Sequence, residues 1–276
     1  MIATEYLRAG ALKGCVAFVT GGGSGVNLGI GETLAALGAD VAICGRTQAK
    51  LDKGLETLSR HGGRVFGTVA DVRDYEAVKS AMERCREELG PISFLVCGAA
   101  GNFVASAEKI SSNGFKTVVD IDLVGAFHAS RAAFDQLKQT RGSVLFISGG
   151  QSYVPFAFQA HVGAAKAGID NLMMNLALEW GRFGIRANSI VPGPIEGTKG
   201  MEVLGGDSAE DVWRTMTPLG RMGKREEIGA VAAFLATPLA AYISGARIAV
   251  DGGQNLTGSH VFNVMASKAL AEAAQS

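Results

Sequence analysis

The sequence predicts an α/β protein, a parallel sheet buried on both faces by helices, and three observations carry that prediction. Short apolar, β-branched runs alternate with helical stretches along nearly the whole chain, which calls for parallel strands joined by crossover helices. A composition of 47% hydrophobic residues with 38 glycines among 276 residues suits strands covered on both sides. The first strand then breaks into the turn TGGGSG at 20–25. Its glycines let the backbone approach an anion closely, and the helix that follows points its unpaired N–H groups and positive dipole end there. A plain strand-to-helix connection is the other reading of such a turn, so the rest of the chain has to decide. One domain over 1–276 is expected.

Met1 to Leu12 is a short prelude. Cys15 to Val19 is the first strand, Leu28 to Leu37 a helix closed by Gly38, and Asp40 to Cys44 the second strand. Thr47 to Arg60 is a helix followed by Gly62 and Gly63. Arg64 to Ala70, Ile92 to Gly98 and Ser143 to Ile147 are further strands, separated by helical stretches near Asp74 to Leu89 and Asn113 to Gln139. Phe156 to Trp180, rich in Ala and Leu, is a long helix, and Arg186 to Val191 the sixth strand. Glu196 to Arg221, with Gly197, Gly200, Gly205 and Gly206 as hinges, reads as a lid over a substrate. A tail, Gln254 to Ser276, follows.

Lys plus Arg number 26 and Asp plus Glu number 26, so no net field draws the chain to nucleic acid or anionic lipid. Cys15, Cys44, Cys85 and Cys97 fall in apolar strands or a helix without metal-ligand spacing, which argues for reduced core thiols and against a bound metal. No apolar run approaches membrane-spanning length, no secretory leader opens the chain, and it ends AAQS rather than in a peroxisomal tripeptide. A cytoplasmic protein acting on a small molecule is the expectation.

Ligands in such sheets sit outside the carboxyl ends of the strands. The second strand ends in Cys44, Gly45 and Arg46, without an acid for an adenosine ribose hydroxyl. Arg46 supplies a fork for a 2′-phosphate and favours NADPH over NADH; a solvated arginine opening a helix is the alternative. Asp71, with Val72, is placed to take an adenine amino group, or equally to cap a helix.

These residues and four more motifs resemble the short-chain dehydrogenase/reductase family. The turn at 20–25, DV at 71–72, AAG at 99–101, Lys166 in the long helix, PGPI at 192–195 and DGG at 251–253 stand in the family's order. The resemblance implies a single Rossmann-type, doubly wound sheet of seven parallel strands, a nicotinamide cofactor and a homotetramer. It places Gly21, Gly23, Ser24, Gly25 and Asn27 at the pyrophosphate, and Asp71 and Val72 at the adenine. Ala99, Ala100 and Gly101 fall on the adenosine side, and Pro192, Gly193 and Ile195 at the nicotinamide.

The departures point to the chemistry. Where most members carry a proton-donating Tyr four residues before the Lys, and a Ser thirteen before that Tyr, this chain has Val162 and Gly149, which donate nothing from a side chain. The usual helix Asn is Asp122, and the third turn glycine is Asn27. AAGNF (99–103), FKTVVDID (115–122), HVGAAKAG (161–168) and GPIEGTKG (193–200) resemble the 2,4-dienoyl-CoA reductase branch, most closely its peroxisomal type. That resemblance implies NADPH-dependent reduction of a 2,4-dienoyl thioester to a 3-enoyl thioester.

The substitution is chemically intelligible. Hydride added to the far carbon of the diene pushes charge to the thioester oxygen, so no alkoxide forms where the phenol would stand, and an acid delivering a proton to carbon is still required. Asp122 is the candidate for part of that proton path, protonated or ordering a water; a packing acid bonded to backbone is the bland alternative. Lys166 is expected to hold the nicotinamide ribose and lend positive charge. Ser148 either reaches the pocket or bonds local backbone. His161, five residues before Lys166, is off its helical face. Tyr153 is a pocket-wall aromatic or a substitute phenol, and Gln159 occupies the seven-residue spacing to Lys166 that bacterial enoyl-thioester reductases give to Tyr. Lys199 faces a CoA phosphate or solvent. A ketone reductase using Tyr153, and a nucleotide-binding protein without catalysis, are the rival classes.

Overall fold

Residue alternation along the strands decides the architecture. In the computed structural model, which describes residues 2–198, 201, 210–259, 263 and 265–266, seven strands form one sheet. These are β1 Val16–Thr20, β2 Asp40–Gly45, β3 Val65–Val69, β4 Phe94–Cys97, β5 Ser143–Ile147, β6 Arg186–Pro192 and β7 Arg247–Val250. Their order is β3-β2-β1-β4-β5-β6-β7, every pairing parallel, so the winding direction reverses between β1 and β4. That reversal opens a crevice at the strands' carboxyl ends.

Successive side chains of a strand point to opposite faces, and both faces here are apolar. Val16 and Phe18 join the core under α4 (Tyr75–Leu89), α6 (Gly125–Thr140) and α7 (Ala160–Trp180). Ala17 and Val19 join the opposite core, under α1 (Ile2–Tyr6), α2 (Gly25–Ala36), α3 (Gln48–Ser59) and α9 (Arg225–Ala236). Phe18, Phe94 and Phe146 are fully buried, each stabilising the fold by about 2 kcal/mol. All four cysteines are free, and burial pushes the Cys44, Cys85 and Cys97 thiols up to about 12. They are inert packing groups.

Several boundaries differ from the sequence expectation for local reasons. The helix after the glycine turn starts at Gly25 rather than Leu28, because Gly21 and Gly25, at φ 67° and 61°, complete the reversal within the turn. The long helix starts at Ala160 rather than Phe156: Phe158 sits at φ 66°, a left-handed conformation that interrupts helical hydrogen bonding. The expected helix Asn113 to Gln139 is three pieces, α5 (Ser112–Val119), a π turn over Asp120–Val124, and α6. The Gly125 N–H bonds the Asp120 carbonyl, the i to i+5 pattern of a π turn. Of the expected lid, 196–198, 201 and 210–221 are described, with α8 at Glu210–Met216; Lys199 and the remaining lid residues lie outside the described residues, as does most of the tail. No helix among the described residues is long and apolar enough to cross a membrane, and none of their His, Cys, Asp and Glu side chains form a metal-binding cluster.

Candidate active site

The crevice between the ends of β1 and β4 holds a cleft of about 440 Å³. The glycine turn makes one wall. A Cβ on Gly22 would stand 2.5 Å from Ile43 Cγ2, so this glycine sets how closely the turn packs on β2. A Cβ on Gly25 would meet nothing within 4 Å, which leaves open space before the N-terminus of α2. Ser24 precedes that helix with no side-chain capping bond, so the first-turn N–H groups face the cleft without a protein anion. Gly21, Gly23, Ser24, Gly25 and Asn27 all line it.

Two polar side chains latch this wall to β4. The Thr20 hydroxyl donates to the Val96 carbonyl at 3.3 Å and accepts from the N–H groups of Gly98 and Ala99 at 3.0 and 3.2 Å. Asn27 Nδ2 donates to the Gly98 carbonyl at 2.7 Å and lies 3.4 Å from that of Gly21, while its Oδ1 has no partner. Asn27, in place of a turn glycine, therefore ties both sides of the switch point together. Ala99 and Ala100 line the cleft beside it.

Charge gathers at the far end, where Arg46, Thr47, Lys50, Asp71 and Val72 line the cleft. Sequence reasoning missed that Arg73 claims Asp71: the guanidinium and carboxylate meet at 2.5 and 3.1 Å. Arg73 beside it holds the Asp71 carboxyl below its usual range, with Arg46 adding to the effect. The signal was present in the i, i+2 spacing after a strand end. The Val72 carbonyl meets His128 Nδ1 at 2.9 Å, fixing the adjacent backbone to α6.

The catalytic candidates meet at the other end. Lys166, 8% exposed, lies across from Asp122, 1% exposed, with Nζ 3.1 Å from Oδ2. Nζ also donates to the Ile147 carbonyl at 3.0 Å. Asp122 Oδ1 accepts from the Gly101 N–H at 2.6 Å, whereas Oδ2 meets Lys166 without hydrogen-bond geometry. Both neighbours are donors, so as placed the carboxyl group accepts. The π turn positions this pair: it swells the helix toward α7, and Gly168, whose Cβ would stand 2.6 Å from Leu123 Cδ2, lets α7 close in. Ser148 lines the cleft, buried, its hydroxyl without a partner, so the local backbone bond that would make it merely structural is not formed.

The remaining candidates are placed elsewhere. Gly101 reaches the site only through its N–H to Asp122 and does not line the cleft. Pro192 ends β6 and Gly193 follows it, both outside the cleft lining, with Gly193 packed so tightly on Asp251 that a Cβ would stand 2.6 Å from its Cα. Ile195 lines a separate cavity with Pro218 and Val250, while Thr198, not anticipated, reaches the main cleft. Val162 is buried with Val118 and Ala165 in an apolar cluster beside Phe103. Gly149 leaves room that Gln151 Oε1 enters. Tyr153 is not a cleft residue: its ring lies 4.0 Å from the Arg247 guanidinium, and burial raises its hydroxyl pKa. His161 and Gln159 are buried behind the site.

A family model described as enoyl-(acyl carrier protein) reductase matches residues 21–255. The chain is 40% identical over 267 residues to the peroxisomal 2,4-dienoyl-CoA reductase of Saccharomyces cerevisiae, covering 95% of this chain and 91% of that one. It is 40% identical over 252 residues to the enzyme of the same name from Arabidopsis thaliana, covering 88% and 85%. Among solved structures, an NADPH-bound short-chain oxidoreductase of Pseudomonas aeruginosa, described as containing an atypical catalytic center, superposes with a TM-score of 0.81 at 31% identity, over 87% of this chain and 96% of that one. The citronellol catabolism dehydrogenase of the same organism gives 0.80 at 35% identity, over 91% and 98%.

Proposed function

The chain belongs to the short-chain dehydrogenase/reductase family of oxidoreductases, and from that premise we propose that it reduces the conjugated diene of a 2,4-dienoyl-CoA to a 3-enoyl thioester with NADPH. One observation carries the reading. Lys166, in the cleft lining, is paired with the buried Asp122 behind it, and the positions of the usual phenol and serine hydroxyl are Val162 and Gly149.

The residues fit a nicotinamide dinucleotide. The uncapped start of α2 and the space before Gly25 suit a pyrophosphate, and Arg46 and Lys50 bring positive charge where a 2′-phosphate would lie. When bound, the reduced nicotinamide supplies a hydride. Lys166, which lines the cleft, would hold the ribose hydroxyls and keep a proton beside the substrate. Asp122 keeps that ammonium oriented through the contact at 3.1 Å and forms part of the proton path. Ser148, with its unused hydroxyl, donates to the thioester oxygen, where the negative charge accumulates. Ile121 and Ile147 in the lining support an apolar acyl chain.

We read the protein as a homotetramer, a reading supported by exposed apolar side chains such as Leu178 and Leu239; sedimentation measures it. Free thiols support a reducing compartment, cytoplasmic in our reading, which fractionation tests against the peroxisomal address in the relatives' names. The function itself is tested by following NADPH and NADH oxidation with 2,4-dienoyl-CoA, 2-enoyl-CoA and 3-ketoacyl-CoA side by side. Turnover of the dienoyl substrate alone, faster with NADPH, is expected. Preference for the ketone sinks the reading.

A further inference from the structure

Asn27 stands in the first turn of α2, with its carboxamide in the gap between the two walls of the cleft. Nδ2 donates to the Gly98 carbonyl at 2.7 Å and reaches the Gly21 carbonyl at 3.4 Å. Gly21 belongs to the β1 wall and Gly98 to the β4 wall, so one amide group spans the crevice where the winding reverses. The Gly98 N–H meanwhile donates to the Thr20 hydroxyl at 3.0 Å. Both backbone polar groups of Gly98 are therefore held from the β1 side.

Two facts limit what this side chain does. Its Nδ2 is directed at two carbonyls, and its other polar atom, Oδ1, is a buried acceptor without a partner. A pyrophosphate offers only acceptor oxygens, so its donors are the uncapped N–H groups at the start of α2 and not this amide. The second fact concerns position 98. A Cβ on Gly98 would stand 2.5 Å from Asn27 Cγ, and closer still to Oδ1. Gly98 is not among the residues with positive φ, so its backbone would accept a side chain. What excludes one is the Asn27 amide, already in that space.

We propose that Asn27 and Gly98 form one unit that sets the width of the cofactor crevice, with Asn27 a positioning residue and not a ligand of the pyrophosphate. The inference rests on the nicotinamide cofactor proposed above and extends it to how the site is preformed. By holding the turn and the end of β4 together beforehand, the amide spares their ordering when the dinucleotide binds. The unpaired Oδ1 is the stability given up for this, since glycine at 27 would bury no orphan acceptor. Nothing in the strap touches the end of the cleft where Arg46 and Lys50 lie, so its effect falls on NADPH and NADH alike.

Three variants test this: Asn27→Gly, Gly98→Asn, and the exchange Asn27→Gly/Gly98→Asn, whose amide enters the same gap from the opposite wall. Kd values for NADPH and NADH are read from reduced-cofactor fluorescence, and melting temperatures are taken on the cofactor-free proteins. Asn27→Gly is expected to raise both Kd values by about tenfold, the equivalent of one lost hydrogen bond, and by the same factor for the two cofactors. Gly98→Asn, with two amides competing for one gap, should melt lowest and bind weakest. The exchange should bring both Kd values back to within about threefold of wild type, a non-additivity that independent sites would not show. Wild-type affinity in Asn27→Gly, a loss confined to NADPH, or an exchange variant that binds no better than Gly98→Asn would each overturn the proposal. Should Asn27→Gly fail to fold, the exchange decides: folded and binding upholds the shared gap, unfolded rejects it. A wild-type protein that binds neither dinucleotide overturns the cofactor reading instead, while the order of melting temperatures still decides whether positions 27 and 98 share one space.

Discussion

Removing the Asp122 carboxylate tests the site most directly. Asp122→Ala takes away the acceptor of the Gly101 N–H at 2.6 Å and the counter-ion of Lys166 at 3.1 Å, both in the interior. Stripping one member from a buried ion pair costs about 3–5 kcal/mol, so a marked loss of thermal stability is expected. Asp122→Asn keeps an oxygen for Gly101 and the side-chain volume but still leaves Lys166 without its counter-ion, so it should lose less stability than Asp122→Ala while removing the same charge. If the carboxylate serves the proton path, both variants lose about 2 kcal/mol or more of barrier lowering, roughly thirtyfold in kcat. The assay is the absorbance of the reduced cofactor at saturating 2,4-dienoyl-CoA, with unfolding followed in parallel. Full turnover in either variant refutes the assignment. A turnover loss confined to Asp122→Ala reduces the residue to a packing acid.

Three further outcomes follow from the geometry. Arg46→Ala should raise the NADPH Kd by about tenfold or more and leave NADH nearly unchanged, since a charge-assisted bond to a phosphate is worth about 1.5–3 kcal/mol; equal losses for both cofactors contradict the 2′-phosphate role. Gly22→Ala would drive a Cβ to 2.5 Å from Ile43 and should cost about 1–3 kcal/mol, read as a lower melting temperature together with weaker cofactor binding. The Asp71 carboxyl, held below its ordinary 3.8 by Arg73, contributes stability that is present above that value and lost as pH falls through the lowered one. The contribution is small for a partly exposed pair, under about 1 kcal/mol. Arg73→Gln should therefore melt slightly below wild type near neutral pH, with the gap closing in acid; a gap that widens in acid reverses the sign and rejects the pairing.

How far the chain could be read depended on whether the information was local. Strands and crossover helices were legible because a sheet buried on both faces needs continuous apolar runs bounded by glycine, and Cys15 to Val19 or Ser143 to Ile147 show that pattern without help from the rest of the fold. The cleft lining at Arg46 and Asp71 was legible because function collects at strand ends, whereas Lys166, inside the long helix, came from the family resemblance. What escaped were bonds between distant segments. Nothing near Thr20 announces that its hydroxyl will serve Gly98 and Ala99, or near Gly101 that its N–H will bind Asp122. The π turn escaped too, because the apolar spacing through Asp120–Val124 looks helical and no Gly or Pro interrupts it. Pro192, Gly193 and Ile195 were assigned by motif alone, and their carbonyl-end backbone lies outside the main cleft lining.

That same turn is one residue longer than a regular helix needs over this stretch. Deleting a single residue, Leu123 or Val124, would let α5 and α6 fuse into one continuous rod with better-aligned backbone bonds, and would swing the Asp122 side chain by about 100° around the axis. The shortened protein would gain regularity in its longest helix while its lysine lost the acid facing it. A mispairing by one position in a gapped alignment of this region is therefore a difference in chemistry, and homologues lacking the extra residue should be sorted apart before any activity is transferred to them.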